Sequence, residues 1–335
     1  MAAALLALAS AGWGQFKSTA PLVVTPATVT DRDGQYVDGL TAEDLILYDN
    51  NVPRAVRIDW TIYPISLVVA VQSSANSGAV IDKLGGSGIL FTKLLAADAG
   101  ETAVISFSDS VTVHQQFTTE ADSVIHALRM MRIEGGNAHS LDAMRQALAM
   151  LEKRPPSRRR IILMIGEKRD RGSAAKLPAV MEEVTKLNVA VYWLTYSPFL
   201  QPFTVKPKTV EDTRPEAERI KIKACDLCRP PDETPVPPDL GPGSWIYGIS
   251  ELIHMTRPDI AQLFTATTGG HQLGFLKKNA LEQAIQLVGE EVHRQYILSF
   301  EPKGGEAGKF HAIRVEVRNR PELQVKTRQG YWAVE

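Results

Sequence analysis

Cysteine is nearly missing: only Cys225 and Cys228 occur in 335 residues. Two thiols are too few for a disulfide scaffold, so a buried core has to carry the fold. No surplus of either charge exists, since 37 Lys and Arg face 38 Asp and Glu, a formal net charge of -1. That balance removes the electrostatic reason to expect a nucleic-acid partner. No apolar run reaches the roughly 18 to 20 residues that cross a bilayer, so no membrane span is expected. Phosphate cradles are absent too: there is no GxGxxG, and no GxxxxGK followed by Ser or Thr. Gly85-Gly86-Ser87-Gly88 misses the spacing of a nucleophile elbow, because Ile89 stands where the last glycine belongs. The seven histidines are scattered. No polar constellation suited to catalysis is visible, and no enzymatic activity is expected.

What is present is a globular composition, 44% hydrophobic and 22% charged, which excludes wholesale disorder. The length suits about two domains of roughly 150 residues each. Residues 1–15 read as the remnant of a signal peptide: Met1 to Ala11 is an Ala/Leu run closing on Ala9-Ser10-Ala11, the small-x-small pattern of a cleavage site. The other reading is an alanine-rich helix. Export would place the chain in the periplasm or outside the cell, under oxidising conditions.

Residues 20–60 read as a small β unit. The β-branched runs Leu22-Val23-Val24 and Ala27-Thr28-Val29-Thr30 lead into the Asp31-Arg32-Asp33-Gly34 hairpin turn. Too few oxygen-bearing positions surround that glycine for a calcium loop. A second hairpin is expected between Leu45–Tyr48 and Ala55–Ile58, around Asp49-Asn50-Asn51. Residues 62–300 then alternate strands with helices. Ile65–Val71, interrupted only by Ser66, and Ile161–Ile165 are apolar runs, as strands buried on both faces should be. Helices are expected to about Ala97 and over 120–131, 139–153, 174–187, 258–267 and 278–293. In the last, Leu281, Ile285, Val288 and Val292 form a core stripe, with Glu282, Glu290 and Glu291 off it. Such alternation predicts an α/β, doubly wound, mostly parallel sheet of Rossmann-like winding. Segments 295–300, 311–317 and 323–327 alternate with period two and predict an antiparallel meander, with 301–335 packing on the amino-terminal β unit. Residues 198–245 are Pro-rich and far longer than a usual connection, an insertion with a role of its own or a disordered spacer.

The lone Cys225-Asp226-Leu227-Cys228 lacks the further ligands of a zinc site. A local disulfide is expected if the chain is exported, free thiols otherwise. Arg158-Arg159-Arg160 is read as capping the preceding helix or lying in solvent. His139 is read as a solvated helix-start residue.

The order of elements resembles a von Willebrand factor A-type domain. It is most similar to the bacterial secreted VWFA-related family described from Acidobacteria. The resemblance rests on Val29-Thr30-Asp31-Arg32-Asp33-Gly34 with Gly39-Leu40-Thr41-Ala42-Glu43-Asp44-Leu45 at one end. At the other stand Tyr296-Ile297-Leu298-Ser299-Phe300-Glu301-Pro302, Gly308-Lys309-Phe310-His311 and Arg328-Gln329-Gly330-Tyr331. The resemblance implies a doubly wound sheet and, at the carboxyl ends of its strands, a metal-ion-dependent adhesion site. In such a site an Asp-x-Ser-x-Ser triplet, a Thr and an Asp offer oxygens to Mg²⁺ or Ca²⁺. Matched onto this sequence, the triplet falls on Ala70-Val71-Gln72-Ser73-Ser74, the Thr on Asn137, and the Asp on Glu167 with Asp170 close behind. Ala70 and Gln72 replace an acid and a hydroxyl. The implied site is therefore degenerate, and a protein-binding rim of Ala70, Gln72, Ser74, Asn137, Glu167 and Asp170 without metal or other cofactor is expected. A Mg²⁺- or Ca²⁺-dependent adhesion module using Ser74, Asn137, Glu167 and Asp170 is the alternative.

Overall fold

Runs of β-branched residues and tight turns shape the amino-terminal segment. The computed structural model describes residues 22–59, 63–85, 100–196, 259–275, 278–302 and 309–333. Strand β1 (Val23–Thr30) runs into a turn where the Asp31 carboxylate accepts the Asp33 and Gln35 amides, both at 2.9 Å. Strand β2 (Leu45–Asp49) returns as β3 (Val52–Arg54) through Asn50 and Asn51, both at positive φ. Paired left-handed residues match the twist of a two-residue hairpin. So short a loop brings the chain back at once, so the return arm is Val52–Arg54 rather than the expected Ala55–Ile58. Arg57–Ile58 forms β4 in a different sheet.

The central sheet comprises β5 (Ile65–Gln72), β6 (Glu101–Phe107), β7 (Val111–Thr118), β8 (Arg159–Gly166), β9 (Val189–Thr195) and β10 (Gln272–Gly274). Its order is β10-β9-β8-β5-β6-β7, parallel throughout except for the antiparallel β6–β7 pair. Helices α1 (Gly78–Leu84), α2 (Ala121–Met130) and α6 (Lys278–His293) cover one face, over Val69, Val71, Leu163 and Ile165. On the other face α3 (Ser140–Glu152), α4 (Leu177–Lys186) and α5 (Ile260–Thr268) cover Val68, Ala70, Met164 and Trp193. Cover on both faces is why these strands read as apolar runs. The doubly wound α/β arrangement expected from the sequence is the one found. The first expected helix is described as far as Leu84, and residues 86–99 lie outside the described segments.

The tail does not form a meander. Strand β11 (Tyr296–Phe300) lies between β1 and β4, and β13 (Gln324–Thr327) takes the other side of β1. Strand β12 (Phe310–Val317) pairs with β2 and with β14 (Gly330–Trp332). Two four-stranded sheets result, β13-β1-β11-β4 and β14-β12-β2-β3, sharing a core of Val29, Leu47, Leu298, Phe300 and Val315. Period-two alternation announces a half-buried strand but does not name its neighbour; each tail strand found partners among the amino-terminal ones.

Helix α6 ties the two halves together. Its stripe of Leu281, Ile285, Val288 and Val292 packs on the central sheet. Glu291, off that stripe, is also buried, 2.8 Å from His271 Nδ1 and 2.7 Å from Lys326 Nζ on β13. Burial alone would raise its carboxyl, but His271 and Lys326 outweigh that and hold it below the usual value. A carboxyl depressed by folding contributes stability that is present above its unfolded pKa, about 4.3, and lost as pH falls through the lower folded value. Urea midpoints are therefore expected to drop on acidification below about pH 4.3. The E291Q variant should start about 1–3 kcal/mol less stable at neutral pH and show a shallower acid loss.

Candidate functional site

The carboxyl ends of parallel strands are where an open α/β sheet leaves a crevice. Three loops meet there. The segment after β5 is pinned on both sides: the Ser73 amide donates to the Phe107 carbonyl (2.8 Å), and the Ser73 carbonyl accepts the Glu134 amide (2.6 Å). The loop leaving β8 lies on the α2–α3 connection, the Arg171 amide donating to the Ala138 carbonyl at 2.8 Å.

At the centre is Gln72, the last residue of β5 and only 1% exposed. Its Oε1 accepts the Glu167 amide at 2.7 Å, and its Nε2 donates to Ser74 Oγ at 2.7 Å and to Glu167 Oε1 at 3.4 Å. Glu167, 5% exposed, meets the Arg171 guanidinium through Oε2 at 2.8 Å. Gly166 is required beside them, since a Cβ there would lie 2.9 Å from Gln72 Oε1 and 3.0 Å from Phe107. Ser74 continues the chain of polar contacts through Ser77 (3.4 Å) to the Tyr196 hydroxyl (2.6 Å from Ser77), whose pKa burial pushes upward.

Ala70 does not reach this rim. It is fully buried inside β5, opposite Ile105 and Met164, with its methyl in the core under α3 and α5. A rim ligand has to sit where the strand ends, and that residue is Gln72. Gln72 thus stands at the strand end, two residues beyond Ala70. Ser74 and Glu167 lie with Gln72 as a group. Asn137 is turned elsewhere: its Nδ2 donates to Asp109 Oδ1 at 2.6 Å, and the same carboxylate accepts the Gly136 and Asn137 amides. Those three donors, the Gly136 amide foremost, hold the Asp109 carboxyl below its usual range. Asp170 is spent on loop architecture, accepting the Leu141 amide in the first turn of α3 (3.1 Å) and the Ser173 hydroxyl (2.5 Å). Half-buried His139 lies 3.7 Å from Asp142.

Sequence reasoning missed Arg171, Ser77, Tyr196 and Asp109. Only Arg171 left a readable trace, four residues beyond Glu167. Cys225, Cys228 and the insertion 198–245 lie outside the described residues. Among the described residues no helix is long and apolar enough to cross a membrane.

No curated protein sequence matches the chain. Among solved structures it is similar to the conserved hypothetical protein BatB from Bacteroides thetaiotaomicron, at 14% identity and a TM-score of 0.41, over 69% of this chain and 98% of that one. It is similar to an aerotolerance-related membrane protein from Bacteroides fragilis at 13% identity and a TM-score of 0.40, over 68% and 99% of the two chains. The vWF domain of the type V pili tip protein Mfa5 from Porphyromonas gingivalis aligns at 15% identity and a TM-score of 0.30, over 33% of this chain and 40% of that one. Residues 73–168, from the loop after Gln72 to the loop after β8, match the von Willebrand factor type A domain family. That match covers 96 of the 335 residues, from Ser73 to Lys168, and likeness to the von Willebrand factor type A family is shown for this segment alone.

Proposed function

We propose that this chain is an exported, non-enzymatic protein-interaction or adhesion module that binds its partner at the Gln72–Glu167 rim without a metal ion. The observation that carries the reading is the Gln72–Glu167–Arg171 arrangement. A hard dication wants an array of oxygen ligands with carboxylate charge. Here an amide donor, Gln72 Nε2, faces Ser74 and Glu167, and the second oxygen of Glu167 already meets a cation in Arg171. Asn137 and Asp170 are committed to other partners. Among the described residues no three His, Cys, Asp or Glu side chains are grouped to hold an ion. The donors do not fit Mg²⁺ or Ca²⁺.

The loop after β8 exposes Lys168, Arg169 and Arg171, and Met130 and Ile133 are exposed at the end of α2. A basic loop and an exposed apolar pair together suit a protein partner with an acidic face, charge steering the encounter and the apolar pair anchoring it. Residues 198–245, with Cys225 and Cys228, lie outside the described residues, and a part for them in partner binding belongs to the proposal. Calorimetry with millimolar Mg²⁺ and Ca²⁺ is expected to give neither heat nor thermal shift. A partner captured from an envelope extract should stay bound in EDTA, and the R169E variant should weaken it about tenfold. Release by EDTA, or stabilisation by either cation, overturns the reading and favours the ion-dependent adhesion module.

A further inference from the structure

The free edges of the three sheets are unequal. Among the described residues, five of the six edge strands are short, and several also carry a blocking side chain. β3 is three residues with Pro53 and Arg54, β4 two residues with Arg57, β10 and β14 three residues each, and β13 four residues with Lys326. Brevity, proline and lysine are the usual ways of stopping a sheet edge from recruiting another strand. The sixth edge is longer and uncharged, and its only irregularity is two register shifts in its pairing with β6, at Thr102/Val104 and Val104/Ile105. β7 is eight residues, Val-Thr-Val-His-Gln-Gln-Phe-Thr, with no proline and no Asp, Glu, Lys or Arg. Its one titratable side chain, His114, donates to or accepts from Ser106 Oγ at 2.8 Å, and burial pushes its pKa down, so the strand is neutral at pH 7.

Both faces of β7 are occupied, while among the described residues no strand pairs with its outer edge. Val111, Val113 and Phe117 pack on the core under α3, and α2 covers the other face. The side chains are thus fixed by the fold, and the outward N–H and C=O groups of the backbone are the recognition surface. Acids bound it: Asp109 stands just before the strand, Glu120 and Asp122 just after, and Glu134 lies 3.5 Å from the Thr112 hydroxyl.

We propose that β7 is a strand-addition site, taking an extended segment of a partner protein that is uncharged over its middle and carries Lys or Arg at both ends. Antiparallel self-pairing of two β7 strands would bring Asp109 of one copy towards Glu120 of the other at each end, so the acids disfavour a second copy of this chain. A basic-ended strand converts the same acids into attraction. This surface adjoins the rim through Asp109 and Glu134 but uses the outer backbone of β7 and not the Gln72, Glu167 and Arg171 side chains.

The probe is a synthetic peptide of alternating Thr and Val with Lys at each end, titrated into the full chain. Saturable binding is expected, with slowed amide exchange confined to residues 111–118. Gln116 is the exposed residue of the strand, so Q116K and Q116P change the edge with little cost to the core. Both should weaken the peptide tenfold or more, while circular dichroism stays unchanged and R169E has no effect. Equal binding by Q116P, equal affinity for a Glu-ended peptide, or β7-dependent dimerisation without peptide each overturns the proposal.

Discussion

Replacing Gly270 by alanine is expected to abolish folding of the α/β unit. Helix α5 stops at Thr268, Gly269 takes the left-handed conformation at φ +75°, and Gly270 then passes directly over β9. A Cβ on Gly270 would lie 1.8 Å from the Val191 carbonyl oxygen and 2.6 Å from its carbon, backbone atoms in a central strand. Neither side can yield cheaply. The Val191 amide is held by the Thr268 hydroxyl at 3.0 Å, and the His271 carbonyl accepts the Trp193 amide at 2.9 Å. Moving the chain away also separates the buried Trp193–Phe264 stack, whose centroids are 6.3 Å apart. A cost above about 4 kcal/mol belongs to such overpacking, a large part of the 5–15 kcal/mol typical of a whole domain. Soluble yield and urea midpoint should collapse in G270A. The control G136A, with nothing within 4 Å of its Cβ, should be within about 0.5 kcal/mol of wild type. A G270A protein with an unchanged midpoint would falsify this path for the chain.

The Gly-Gly pair shows what could be read in advance. Two glycines after a helical pattern announce a stop, but the sequence does not say which one touches another strand. The central strands were legible because burial on both faces leaves few polar residues within the run, Ser66 in β5 being one. Tail pairings were not, since alternation is satisfied by any neighbour on the correct side. The rim was half legible. Motif spacing counts residues, but it does not know where a strand ends: Ala70, expected at the rim, is buried inside β5, and the strand ends at Gln72. Glu167 was found and its Arg171 partner was not. The partners of Asn137 and Asp170, respectively Asp109 and the amino end of α3, are 28 and 29 residues away, and only the fold brings them near. Arg158-Arg159-Arg160 was misjudged in the same way. Arg160 does reach a helix end, donating to the Arg154 carbonyl beyond α3, but Arg158 binds Ser66 and Glu101 and Arg159 binds Val292 and Gln295. None of the three is free in solvent.

Glu101 is where that basic cluster makes its largest energetic difference. It opens β6 at the amino end of the parallel strands, opposite Ser66 in the register and 7% exposed. Oε1 accepts Ser66 Oγ and Arg154 Nε, both at 2.6 Å, Oε2 accepts Arg154 Nη2 at 2.5 Å, and Arg158 Nε stands 3.2 Å away. Two-pronged guanidinium–carboxylate contacts of this kind are the strong ones. The alanine variant deletes a carboxylate that meets two guanidinium groups, so the Arg154 and Arg158 charges lose that shared anion in a largely buried place. A loss on the order of 3–5 kcal/mol is expected for breaking a buried pair from one side, read as a lowered urea midpoint. The other end of the same sheet should respond in the opposite way. R169E alters an exposed residue for which no partner is seen among the described residues, and it should weaken partner binding while leaving the midpoint within about 0.5 kcal/mol. E101A, measured at a temperature where it is still folded, should bind normally. If instead E101A loses the partner while folded, the amino ends of the strands share in recognition, and binding is not confined to the carboxyl rim.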